Sequence, residues 1–366
     1  MPKPLSAVDC VSPSFELTKR QLFAPFRFRR WVRLAIVCLV LGDFAGGGGF
    51  TGNIGIPWQP DRGNTPQTST AFLGWSDLQP FMPLLIVAAV LVFAMVILWI
   101  YMASVYRFVL FDSVLYDRCE LKGSWGRWEP AGRSYFFWAV SMFFAVLAGC
   151  LVLGGATFFL AWHLGILRHP GDHLAALILG GLAILCILFG FFVVSALAGV
   201  FAKDFCVPLM AMENLGVLDA WRRLLPMLAA EKMAYAGFVL MKIVLAMGSA
   251  IIFGIITLLA MIAVAIPMGI GGLVLFFAGK AAGLTLSLPI ICVMIVLGGV
   301  ILTGIFYLLA LISTPPMVFF QAYVIHFFAG RYPALGAIVF PPPPEPLPSP
   351  PSVEAVGLPP APAPTG

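Results

Sequence analysis

The sequence predicts an all-α fold: a polytopic membrane helical bundle of about six transmembrane helices, with amphipathic helices on its inner face. Three observations lead there. Hydrophobic residues make up 61% of the 366 and charged residues only 10%, where a soluble domain carries about a quarter charged. Six apolar runs, at 31–48, 83–105, 135–161, 174–202, 243–267 and 289–313, punctuate the chain, several of them longer than the roughly 18 to 20 residues that cross hydrocarbon as a helix. With six spans and both termini inside, seventeen Lys and Arg residues fall inside and three, Arg62, Arg168 and Lys280, outside, with Lys242 at a helix boundary. Basic residues accumulate on the cytosolic side of membrane proteins, so this asymmetry predicts an orientation with both termini cytosolic.

The elements follow in order. Residues 1–30 form a basic cytosolic and interfacial segment. In "FELTKRQLFAPFRFRRWVRLA", Phe15 to Ala35, arginines are placed to meet anionic headgroups while Phe23, Phe26, Phe28 and Trp31 enter the acyl boundary. The first run lacks the short n-region and cleavage site of a signal peptide and reads as an uncleaved anchor. Four glycines, Gly46 to Gly49, follow it. They are not a phosphate loop, because no lysine occurs between Lys19 and Lys122 and such a loop needs a Lys-Ser or Lys-Thr pair. Glycine there ends a helix as it leaves the bilayer, or lets a neighbouring helix approach closely. An irregular outer loop, 49–80, comes next. After Phe340 twelve of the thirty prolines crowd the final 26 residues, so 337–366 is expected to be a disordered, polyproline-type cytosolic tail.

Within the membrane domain, 31–336, three similar segments follow the second, fourth and sixth runs: "VLFDSVLYDR" with Asp112, "LMAMENLGVLDAWRR" with Glu213 and "MVFFQAYVIHFF" with Gln321. Their spacing suggests three two-helix units at 31–134, 135–232 and 233–336. In the middle copy Asn214 and Gly216 end one helix, and "VLDAWRRLLPML" starts another with Leu218, Trp221 and Leu225 on one apolar face. Asp219 suits that helix's N-terminus and can pair with Arg222 or Arg223.

Groups that carry chemistry are scarce. No span holds an acid near its middle, and intramembrane acids are where function is first sought. Lys242 can snorkel to the interface or face a substrate path. The stretch 267–289, interrupted by Lys280, can form a re-entrant or outer-surface helix pair. His163, His169 and His173 share an outer loop, but Pro170 and Gly171 work against the regular helix that would align them as metal ligands. The seven cysteines include no CxxC pair, and on this topology none can join a disulfide in an exported loop. No catalytic set or cofactor motif occurs, so no enzyme, cofactor or metal is expected. Nucleic acid is not an expected partner either, because the basic segment runs directly into a membrane span.

At "RFVLFDSVLYDR" and "DFCVPLMAMENLGVLDAWRR" the chain resembles uncharacterised bacterial multi-pass membrane families. It is also distantly similar to the membrane domain found ahead of glycerophosphoryl diester phosphodiesterases, through Pro208, Glu213, Gly216, Val217, Arg222 and Arg223. The chain has no phosphodiesterase domain, so the resemblance transfers no catalytic residue and implies an inner-membrane protein of unassigned activity. The functional expectation is a non-enzymatic accessory or scaffold protein. Its partners are the bilayer and another membrane or cytosolic protein, met by an inner face around Asp112, Glu213, Asp219, Arg222, Arg223 and Gln321. The alternative is a transporter or lipid-handling protein using Lys242 or Lys280.

Overall fold

Residues 5–24, 26, 28–42, 82–117, 121–163, 174–281 and 288–341 are described by a computed structural model. Every regular element among them is helical. Two short helices open the chain, α1 (Val11–Leu22) and α2 (Phe28–Leu41). Long helices follow: α3 (Met82–Leu115), α4 (Leu121–His163) and α5 (Leu174–Phe201). A π-turn, Ala202–Cys206, carries α5 into α6 (Val207–Glu213), and the surface helix α7 (Val217–Ala230) comes after it. The longest helices are α8 (Lys232–Ala281) and α9 (Leu288–Ala329), and a short α10 (Pro333–Val339) closes the described chain.

Five helices among the described residues are long and apolar enough to cross a membrane, so the expected six are not confirmed. The difference lies in the first run. Its helix, α2, has 14 residues, or about 21 Å at 1.5 Å per residue, against roughly 30 Å of hydrocarbon. It begins among Arg29, Arg30 and Arg33 and buries Leu34, Val37, Cys38 and Leu41 in the core with the trailing ends of α3 and α9. The remainder of that run, the four glycines, the loop 49–80, the histidine loop beyond His163 and the tail from 342 lie outside the described residues. The stretch 267–281 continues α8 through Pro267 as helix.

The core sits at one end of the bundle. Three helices turn from exposed to buried at their trailing ends: α3 from Val105, the α5–α6 helix from Ala202, and α9 from Met317. Two others contribute their leading ends, α4 with Trp128 and Tyr135 and α8 with Tyr235 and Phe238. Rings fill this base. Phe205 lies 5.2 Å from Tyr235, 5.1 Å from Phe238 and 5.3 Å from Phe328, and Phe238 stacks on Tyr323 at 5.2 Å. Such pairs each add about 0.5–1.5 kcal/mol beyond the area they bury. Where α4 crosses α3, a Cβ on Gly132 would meet the Val105 Cα at 2.8 Å, so only glycine permits this approach. The apolar shafts beyond the base stay exposed, as lipid-facing helices do.

The N-terminal segment is part of the base. Helix α1 buries Ser14, Thr18, Gln21 and Leu22, and Tyr323 donates a hydrogen bond to the Ala7 carbonyl at 3.0 Å. Phe15, Phe23, Phe26 and Phe28 remain more than half exposed, the disposition expected of acyl-boundary anchors. Trp31 donates to the Leu311 carbonyl at 3.2 Å.

Candidate functional site

The polar chemistry of the molecule gathers in and around the base. Its most buried element is on the π-turn. A π-turn inserts an extra residue into an α-helix and rotates the side chains that follow, which is why such turns recur at functional sites. Here Asp204 is turned inward and left 4% exposed, where it accepts from Lys242 on α8, itself 12% exposed. The ammonium also stands 5.9 Å from the Phe238 ring centroid. Each charge alone would be costly to bury, and the pair resolves that cost mutually. Lys242, which the sequence left between snorkelling and a substrate path, thus has a buried carboxylate as its partner.

A second node forms around Glu213, the last residue of α6. Asn214 follows it at φ 53°, a left-handed conformation that asparagine tolerates and that ends the helix. Glu213 accepts from Arg223 of α7 at 2.7 Å and from the Tyr332 hydroxyl at 2.6 Å. Burial, and then this bond to a carboxylate, raise the Tyr332 phenol above its ordinary value. The node ties the consecutive helices α6 and α7 to Tyr332, 119 residues on from Glu213.

Arg331 makes the third node. Only 7% exposed, it donates to Glu231 at 2.8 Å, to the Leu5 carbonyl at 3.2 Å and to the Phe327 carbonyl at 3.0 Å, with its guanidinium 3.9 Å from the Phe327 ring centroid. A planar five-donor group can fill all these roles at once; an ammonium cannot. Beside it, burial pushes the Cys10 thiol up to about 11, opposed in part by the Arg331 charge.

The other expected residues take varied places. Asp112 is buried on α3 with Arg127 3.9 Å away. Asp219 pairs with Arg222 at 3.0 Å on the exposed side of α7. Gln321 is half-buried on α9, and Lys280 is exposed near the trailing end of α8, far along the helix from Lys242. Helix α7 itself corrects one expectation. Its packed strip is Val217, Ala220 and Leu224, one residue before the strip read from periodicity, and Leu218 and Leu225 are exposed. The helix has two adjacent apolar strips, and its neighbours take the first.

Sequence reading passed over Asp204, Glu231, Arg331 and Tyr332 as a connected set. The available signal was weak: an acid just past the apolar end of one span and a lysine just before the next. Among the described residues no group of three or more metal-ligating side chains is brought together, and the described cysteines are free thiols.

A bundle of five long apolar helices on an internally ion-paired base is compatible with a multi-pass membrane protein. Residues 5–338 match the family of unknown function DUF7544, and the chain belongs to that family. Nothing in that match links it to the glycerophosphoryl diester phosphodiesterases, so that part of the resemblance is set aside. No curated protein and no solved structure matches the chain.

Proposed function

We propose that the protein is a non-enzymatic membrane accessory or scaffold protein, its base and both termini on the cytosolic side of a bacterial inner membrane. The observation that carries this reading is the division of charge in the base. Asp204 with Lys242 and Arg331 with Glu231 form pairs within the base, whereas on α7 Arg222 is 80% exposed beside Asp219 at 56%, and Arg223, 60% exposed, reaches back to Glu213. Internal pairs hold the platform, and the surface helix presents charge to a partner. The excess of Lys and Arg on this side supports the orientation. Exposed charges of this kind steer and orient association more than they stabilise a fold.

The test is co-purification from native membranes of the tagged full chain and of a variant carrying Arg222→Glu and Arg223→Glu. A protein recovered with the parent and lost from a folded variant supports the platform role. Equal recovery with both sinks it.

One observation favours a second reading, transport or lipid handling. The Asp204–Lys242 pair sits on a π-turn close to a long apolar helix, the kind of polar group that marks a substrate path in other membrane bundles. Solute flux or lipid transfer in proteoliposomes, abolished by Lys242→Met, is its expected signature. No flux with either protein removes it.

A further inference from the structure

We infer that the groove between α5, α7 and α8 takes one anionic phospholipid, its phosphate beside Lys232 and an acyl chain along the apolar wall. The inference stands independently of the accessory role. The groove has a volume of about 580 Å³ and is walled by Leu197 and Phe201 of α5, Leu228 of α7, and Val239 and Ile243 of α8. Lys232, exposed at the first turn of α8, stands at one end of it.

Four observations fit a lipid and define its direction. From Lys232 to Ile243 the helix rises about 16 Å, half of the roughly 30 Å hydrocarbon core and so the depth of one leaflet. Leu218, Leu225, Met233 and Leu240 on this flank are all more than half exposed, an apolar surface that suits contact with acyl chains. Tyr235 forms part of the wall one turn on from Lys232, and its hydroxyl is buried without a hydrogen-bond partner among the described residues. Its ring packs inward on Phe205 and Phe327, so this wall of the groove is apolar. Charge favours an anionic headgroup as well: Glu231, the nearest acid in sequence, is engaged by Arg331, which leaves the Lys232 ammonium at the mouth of the groove.

Lys242 explains why the apolar zone reaches this far. Its charge is neutralised by Asp204 inside the protein, so the polar boundary on this flank falls at Lys232, Arg222 and Arg223, about ten residues toward the base along α8.

Native mass spectrometry of the full-length protein, released from detergent after incubation with phosphatidylglycerol or phosphatidylcholine, tests the site. One phosphatidylglycerol per chain is expected, retained about fivefold over phosphatidylcholine, the contribution of a single lysine near a charged surface. Lys232→Glu should erase that preference. Ala236→Trp, which fills the groove, should lower retention of both lipids. Should Lys232→Glu fail to fold, Lys232→Gln at this exposed position gives the same reading. Equal retention of the two lipids, or a preference that survives in a folded Lys232 variant, overturns the proposal. So does inorganic phosphate alone retained as firmly as phosphatidylglycerol in the same measurement, since a headgroup site without the apolar groove would then suffice.

Discussion

Phenylalanine serves two ends of this molecule in opposite ways. In the base, Phe205, Phe238 and Phe327 are wholly buried and ring contacts them on several sides, while Phe158, Phe189 and Phe276 on the shafts remain more than 60% exposed. The residue is the same and the surrounding solvent differs. A ring in the base is removed from water, which drives burial at roughly 25 cal/mol per Å². A ring on a shaft exchanges one apolar contact for another, because lipid tails are as apolar as leucine. The fold is therefore held mainly at one end, and the membrane supplies the conditions for the rest.

The comparison is broken most decisively by deleting rings. Phe327→Ala should cost about 3–5 kcal/mol, the usual loss for a buried aromatic, whereas Phe189→Ala should cost about 0.5 kcal/mol or less; denaturant titration in a mild detergent reads both. Similar losses for the two would mean that the shafts also carry the fold. The buried ion pair comes next. Asp204→Ala strands the Lys242 charge and should cost about 3 kcal/mol, and Asp204→Leu combined with Lys242→Met should recover most of it, since an apolar replacement removes both charges together. A double variant as unstable as the single one would assign the loss to the π-turn backbone.

Arg331→Met removes the Glu231 and carbonyl contacts and should destabilise the base by about 2 kcal/mol, measured in the same titration. Arg222→Glu alone should change stability by about 1 kcal/mol or less, because Arg222 and its partner Asp219 are both exposed and such surface pairs contribute little. pH acts through a buried thiol. Cys10 has its thiol raised from 9.0 to about 11 chiefly by burial. The folded state favours the neutral thiol, so this contribution is complete below pH 9 and is lost as pH rises through 11. Alkylation of Cys10 in the folded protein should accordingly stay slow at pH 9, where the unfolded chain reacts readily.

Much of the architecture was legible because it follows from local rules. Asn214 and Gly216 marked the break between α6 and α7, and Asp219 found Arg222 one turn on. Five of the apolar runs became long helices. Of the first run, Trp31 to Gly48, the described helix covers the part up to Leu41, and residues 43–48 lie outside the described residues. The strip on α7 was misplaced by one residue since two apolar strips adjoin and only tertiary contacts choose between them. Asp204 and Lys242 are 38 residues apart, and no local pattern announces a π-turn that aims one at the other. The Glu213, Tyr332 and Arg331 nodes likewise span the chain, so their connections came from packing.

The base also imposes a schedule on synthesis. Ser14 reaches His326 across 312 residues, and the Leu5 carbonyl meets Arg331 across 326. At about 5–20 residues per second, a ribosome needs roughly 15 to 60 s to make the partner that α1 packs against. Through that interval the first helix has emerged but its seat does not yet exist, so α1 stays without its packing partner while the long helices are made one after another. The last long helix to be made is the one that locks the first in place.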